Sequence, residues 1–380
     1  MNYWDMPSFA MYLSLFLATM VVVEISSDNG FIRIKKRKKN EGALITVAII
    51  WLLVLTLRDS SRGTDLVRYL RTYESLNATS VSEIFRQAMT AEPLYNVYVW
   101  LLKSVSSGLS KVQSTALYLF GVAVPWVIFS FMALKNESKN NGSTIAIAVI
   151  MIQFFFRSFS MLRQSIALAI MLYAFSEYAK GKKLKYWFLL LVSVGVHYTA
   201  IIGIPAYFYT DAKQGKSSIL LKRTIVIIGM AVFFFFGAEI LNSVFGSFDG
   251  KYAQLGSRVS SFGIGQLVNR LPFVALLVYY RKDLIAQNSH NKVYIDLMIF
   301  DVFVGQLNYV NPLFNRLSLY FSALMVFLVP SLYICISKRV GKPAGRLLFF
   351  IILVVWFVLR VNYYTYENPY GIMPYISIFN

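Results

Sequence analysis

Residues 9–23 read FAMYLSLFLATMVVV, and residues 33–39 read RIKKRKK. The first run is apolar and uncharged, close to the roughly 20 residues that a bilayer core asks of a helix. No Lys or Arg precedes it. A signal peptide carries its charges first and a small-residue cleavage site after. The reversed order therefore predicts a retained helix with its amino end outside and its basic flank in the cytoplasm. That flank has no interleaved aromatics and follows a helix end, so it is a topology anchor, and no nucleic-acid partner is expected.

The rest of the 380 residues repeats the pattern. Of the chain 57% is hydrophobic and only 14% charged, with a mean hydropathy of +0.57, which excludes an ordinary soluble domain. Cys335 is the one cysteine and there are two histidines, too few for a disulfide framework or a Cys/His metal cluster. Further apolar runs lie at about 43–57, 115–134, 143–156, 164–179, 186–210, 222–238, 266–280, 293–309, 315–336 and 346–361. The expected fold is an all-α polytopic membrane protein, a single domain over residues 1–380, with about 11–12 transmembrane helices. Residues 58–114 are expected to form a large periplasmic loop with an amphipathic helix, and 239–265 a second periplasmic loop.

Alternating the sides puts Lys135, Lys180 to Lys185, Arg281 to Lys292 and Lys338 to Arg346 in the cytoplasm, as the positive-inside rule requires. The pattern closes only if Pro93 to Leu109 does not span and Tyr186 to Thr210 enters and leaves on one side. Gly195, Gly203 and Pro205 break that stretch, so it is expected to be a pair of half-helices meeting near His197. Broken helices belong where they line a cavity.

On this map 17 of the 20 lysines lie inside and 11 of the 17 arginines outside. Lysine suffices to set topology, whereas the arginine fork grips carboxylate or phosphate in two places. The outer face is therefore built to hold an anion, or else its arginines pair with its acids. Arg58 and Arg62 in the long loop leave both readings open. Arg163, Arg270 and Arg316 each open a helix running inward, where a cation opposes the helix dipole and an anion would offset it. Snorkelling to headgroups is the plainer account. Arg157 lies near Arg163, with a turn needed between them for both to reach one ligand. Asp301, in the middle of an apolar run, calls for a buried partner, most simply an arginine.

These residues stand in recognisable order. Arg58, Arg62-Gly63-Thr64-Asp65, Tyr69 and Tyr73, Glu92-Pro93, Arg163-Gln164-Ser165, Lys182-Lys183, His197-Tyr198-Thr199-Ala200, Arg316 with Tyr320, and the closing Asn368-Pro369-Tyr370-Gly371 follow one another. The series resembles the EpsG-like branch of bacterial O-antigen and exopolysaccharide polymerases (Wzy). Threonine at 199 departs from the serine expected there. The resemblance implies a fold similar to the GT-C glycosyltransferases, with the active site facing the periplasm from the bacterial inner membrane. It implies transfer of a growing glycan from undecaprenyl diphosphate to the next undecaprenyl-diphosphate-linked oligosaccharide. A chain-length regulator (Wzz) and a flippase (Wzx) would be partners. Tyr69, Tyr198 and Tyr320 become candidate glycan-contacting rings.

The residues themselves fit that chemistry. A sugar leaving a diphosphate places charge on phosphate oxygens, which arginines can stabilise without a metal or other cofactor. Arg58, Arg62, Arg157, Arg163, Arg270 and Arg316 are the candidate diphosphate ligands. A carboxylate or His could take the acceptor's proton. Glu92, beside Pro93 at an apolar stretch, and His197 are the expected bases, with Asp65 an orienting carboxylate. Tyr363, Tyr364, Tyr366, Tyr370 and Tyr375 are expected in the membrane-interface belt. A lipid-linked oligosaccharide flippase would also need arginines and a cavity. It would offer them to both faces and show two similar halves, and no internal repeat is present. An O-acetyltransferase would need a cytoplasmic nucleophile system, and only His290 lies there, in a polar loop.

Overall fold

A computed structural model describes residues 5–25, 41–77, 80–86, 92–137, 143–210, 216–245, 264–366 and 368–379. Among them every regular element is helical: α1 (Met6–Ile25), α2 (Glu41–Thr56), α3 (Leu66–Ser75), α4 (Val81–Arg86), α5 (Pro93–Val105), α6 (Lys111–Glu137), α7 (Ser143–Ile150), α8 (Leu162–Ala179) and α9 (Lys183–Val196). There follow α10 (Gly203–Tyr209), α11 (Lys216–Phe245), α12 (Ile264–Tyr279), α13 (Arg281–Gln287), α14 (Asn291–Gln306), α15 (Leu319–Ser322), α16 (Met325–Val340) and α17 (Lys342–Tyr366). The basic run at 33–39, Lys139, Lys213 and most of the expected second loop lie outside the described residues.

Among the described residues four helices are each long and apolar enough to cross a membrane, and the pair Phe314–Ser322 and Met325–Val340, bent by 42°, makes a fifth if taken as one span. The other elements of the bundle are shorter or less apolar, since polar residues and breaks interrupt them. Side-chain contacts fix their directions. Thr144 donates to Glu24 at 2.7 Å and the Tyr12 ring meets Phe156 at 5.1 Å, so α1 and α7 are antiparallel. Arg270 meets Asp301 and Arg281 meets Asp296, each at 3.0 Å, which sets α12 against α14. Tyr294–Phe327 at 4.8 Å and Tyr333–Phe349 at 5.2 Å continue the alternation through α16 and α17. α8 is buried on nearly every side, as an all-round apolar helix must be.

The expected break at His197 is present. α9 ends at Val196, His197 is extended, and a 3-10 turn over Tyr198–Ile202 leads into α10. The Tyr186 hydroxyl donates to the Gly203 carbonyl at 2.8 Å and Trp187 packs on Tyr207 at 4.8 Å, so the segment doubles back. The limbs reach further than half-helices. Ser193 bonds the Ala167 carbonyl at 2.8 Å near one end of α8 and Tyr186 meets Tyr178 at 5.1 Å near the other. The 3-10 turn rises about 2.0 Å per residue, against about 1.5 Å in an α-helix, and so lengthens the return limb.

At one end of the bundle the carboxyl-terminal residues 368–379 form a strap. Tyr375 N–H donates to Ser8 at 2.7 Å, the Tyr375 hydroxyl to Val54 O at 3.1 Å, and Tyr12 to Ile372 O at 2.9 Å. Arg58 pairs with Ser377, and Thr64 donates to Pro369 O at 2.9 Å. Two glycines serve this crossing: a Cβ on Gly371 would stand 3.0 Å from Gly63 N, and Gly63, with φ +118°, seats its loop so close to the Phe159 carbonyl that a Cβ would stand 2.2 Å from it. Beneath the strap α3 buries Leu66, Leu70 and Tyr73, one face at helical spacing. α5, with 13 residues, is shorter than a membrane crossing.

Candidate active site

At the strap end α12, α14, α17 and the segment 315–325 enclose a cleft of about 1070 Å³. Its wall carries Arg157, Arg270, Arg316 and Arg360 against two carboxylates, Asp65 and Asp301. Arg270 is spent inside the protein. Its Nε donates to Asp301 at 3.0 Å, Nη2 to Ser318 Oγ at 2.7 Å and Nη1 to Gln266 O at 2.9 Å, and Ser318 in turn donates to Asp301. Asp301 thus has the arginine partner its burial demanded. Arg316 and Arg360 pair with no carboxylate among the described residues. The wall is left with an excess of two positive charges, counted over those four arginines and two acids.

A second cluster lies beside the cleft. The Glu92 carboxylate, at the amino end of α5 and 1% exposed, takes Arg163 on one oxygen and His197 Nδ1 on the other. Arg163 also donates to Tyr69 Oη at 3.3 Å and lies 5.2 Å over the Tyr69 ring and 5.8 Å from that of Tyr95. Tyr95 and Tyr118 share a hydrogen bond of 2.8 Å. His197 Nε2 is buried without a partner among the described residues. Two bonds tie the cluster to the cleft segment: Gln164 Nε2 donates to Arg316 O at 3.0 Å, and Thr199 and Tyr320 hydroxyls meet at 2.9 Å. Three chain segments far apart in sequence are so locked at one point.

A model of the EpsG family matches residues 43–377. The chain belongs to the EpsG family. No curated protein and no solved structure matches it. Both clusters fall inside the matched span, so what they do bears on this EpsG-family chain as such.

The structure divides the predicted site in two. Arg157, Arg270, Arg316 and Asp65 line the cleft, while Glu92, Arg163 and His197 form the neighbouring triad. Arg157 and Arg163 are separated by a 3-10 turn over Phe156–Phe159, and it sends them to different clusters. Arg163 does not line the cleft in this geometry; its Nη1 is paired with Glu92 and its Nε donates to Tyr69. Arg58 also lies elsewhere. It is 1% exposed, 4.7 Å over the Phe159 ring, beside a separate void of about 10 Å³, room for about one water. Arg62 reaches toward the strap, its Nη1 3.5 Å from Met373 O. Burial of Glu92 matches expectation, and each of its oxygens is engaged, one by Arg163 and the other by His197. Tyr320 is fully buried and bonded to Thr199, so it presents no free face to a glycan, and half-buried Tyr69 has Arg163 over its ring. Tyr198 is 41% exposed, 5.1 Å from the His197 ring.

Sequence reasoning missed Arg360, although the rule that singled out Asp301, a charge inside an apolar run, applies to it equally. Two tyrosines expected in an interface belt, Tyr363 and Tyr370, line the cleft. At the opposite end His290 Nδ1 meets Glu137 at 3.0 Å, and Asn288 and Tyr294 donate to the same carboxylate at 2.9 and 2.8 Å, a saturated structural knot.

Proposed function

We propose that this EpsG-family protein is a membrane glycosyltransferase that polymerises glycans, moving the growing chain from undecaprenyl diphosphate onto the next lipid-linked repeat unit. The observation that carries this is the cleft itself, in which Arg316 and Arg360 line open volume with no carboxylate paired to them among the described residues, and whose wall carries a twofold positive excess. A diphosphate leaving group supplies the matching charge.

In the transfer, the bond from the anomeric carbon to the phosphate oxygen breaks and a bond to the acceptor hydroxyl oxygen forms. Charge grows on the diphosphate, where Arg157, Arg316 and Arg360 hold it. No metal takes part in this scheme. Asp65 is the carboxylate in the cleft without an ion-pair partner among the described residues, so it takes the acceptor's proton, the role first expected of Glu92 or His197. Glu92, Arg163 and His197 position the apex of α9 against α5 and α8. One observation favours a second assignment: with Nδ1 on Glu92, the unpartnered Nε2 of His197 is oriented as a base. Asp65→Asn and His197→Gln separate the two, since loss of a general base costs about 10²- to 10⁴-fold in rate and loss of a positioning residue costs less. The reading places the strap end in the periplasm, the protein in the bacterial inner membrane, and a chain-length regulator (Wzz) and flippase (Wzx) as its partners. Deleting the gene and running surface lipopolysaccharide on a gel tests it: one repeat unit on the core supports a polymerase, and none supports a flippase.

A further inference from the structure

We propose that the gap between α12 and α17 is a lateral doorway for a polyisoprenyl chain, whose first isoprene units lie on Phe273, Met298, Met325 and Trp356. The proposal rests on the diphosphate reading of the cleft and names what the remainder of the cleft holds.

Polarity along the cleft is ordered the same way on four of its elements. On α17, Arg360 lies one turn, about 6 Å, nearer the strap end than Trp356. On α12, which runs the opposite way, Arg270 again stands nearer the strap than Phe273. Asp301 stands above Met298 on α14, and Arg316 above Met325 on the bent segment. All eight residues line the cleft. That order suits a ligand with a charged head and an apolar body.

The apolar layer also opens sideways. Leu359 and Tyr363 line the cleft yet are 60% and 49% exposed, so they form its outer lip. α12 packs chiefly on α14 and α17 on α16, and among the described residues no close packing joins α12 to α17. Beside that gap Val268, Leu271 and Val355 stand 62%, 47% and 49% exposed, an apolar surface that belongs in hydrocarbon. A lipid can thus slide in from the bilayer with its diphosphate rising to Arg316 and Arg360 and its tail trailing between the helices.

The test uses full-length protein in lipid nanodiscs and a sugar-free polyisoprenyl diphosphate with a diazirine on its second isoprene. Irradiation and peptide mapping should label α12 near Phe273 and α17 near Trp356. Arg316→Gln with Arg360→Gln should lower that labelling at least about ten-fold, and the same tail on an alcohol should label weakly. Label on α11 or on the α5–α9 face, or equal label from the alcohol, overturns the doorway. Because the wild-type map is itself decisive, a variant that misfolds does not rescue the idea. Glycan transfer is measured in parallel: correct labelling without transfer upholds the doorway and sinks the polymerase reading, whereas transfer with label elsewhere does the reverse.

Discussion

Glu92→Gln isolates the triad. The wild-type carboxylate neutralises a guanidinium whose side chain is 15% exposed and anchors an imidazole that is 7% exposed, while being itself 2% exposed. The amide removes the charge and keeps the shape, leaving Arg163 buried with the Tyr69 hydroxyl and ring as its partners. Breaking a buried pair in this way costs about 3–5 kcal/mol. Arg163→Met alone strands Glu92 instead, at a similar cost. The double variant strands neither, so the two losses should fall short of their sum by about 2 kcal/mol. Unfolding of the purified protein in mixed micelles, titrated with denaturing detergent, reads each free energy. Transfer activity should return in part in the double variant, because the triad positions the apex and the cleft does the chemistry. Losses that add to within about 0.5 kcal/mol would refute the pairing and free Arg163 for substrate. A double variant of normal stability with no transfer would instead put His197 at the reacting atoms.

Other outcomes follow from the same geometry. Gly63→Ala should displace the loop that holds the strap through Thr64, since its Cβ would collide with the Phe159 carbonyl at 2.2 Å; faster proteolysis of the carboxyl-terminal residues would show it, and unchanged proteolysis would count against the strap. Arg58→Met should lower stability but leave the KM for lipid-linked substrate unchanged, because Arg58 lies outside the cleft; a raised KM would restore it as a ligand. Periplasm-specific reporters fused after Arg86 or at Asn380 should be active, and those after Lys39, Lys183 or Lys342 silent. An active fusion at Lys183 would contradict a segment that enters and leaves on one side.

Much of the fold was legible because membrane helices announce themselves in long apolar runs. The return at His197 was legible too, since Gly195, Gly203 and Pro205 cannot sit in an uninterrupted helix without cost. Asp301 declared its need for an arginine, though nothing in the sequence said that Arg270 would supply it. That Arg58 and Arg62 stand by the strap and not on the cleft wall was not legible, because the strap arrives from the far end of the chain. Arg163 and Glu92 seemed to be two functional groups and are one ion pair. A charge pattern gives each residue's side of the membrane but not its partner, and partnership decides whether an arginine is spent or available.

The most direct test of the central claim is polymer formation from purified lipid-linked repeat unit by the full-length protein in EDTA, resolved as a ladder on a gel. The account predicts a ladder for the wild type, and its loss in Arg316→Lys and Arg360→Lys as well as in the alanine variants, because an ammonium cannot reproduce the fork. An undiminished ladder from both lysine variants and both alanine variants would contradict it.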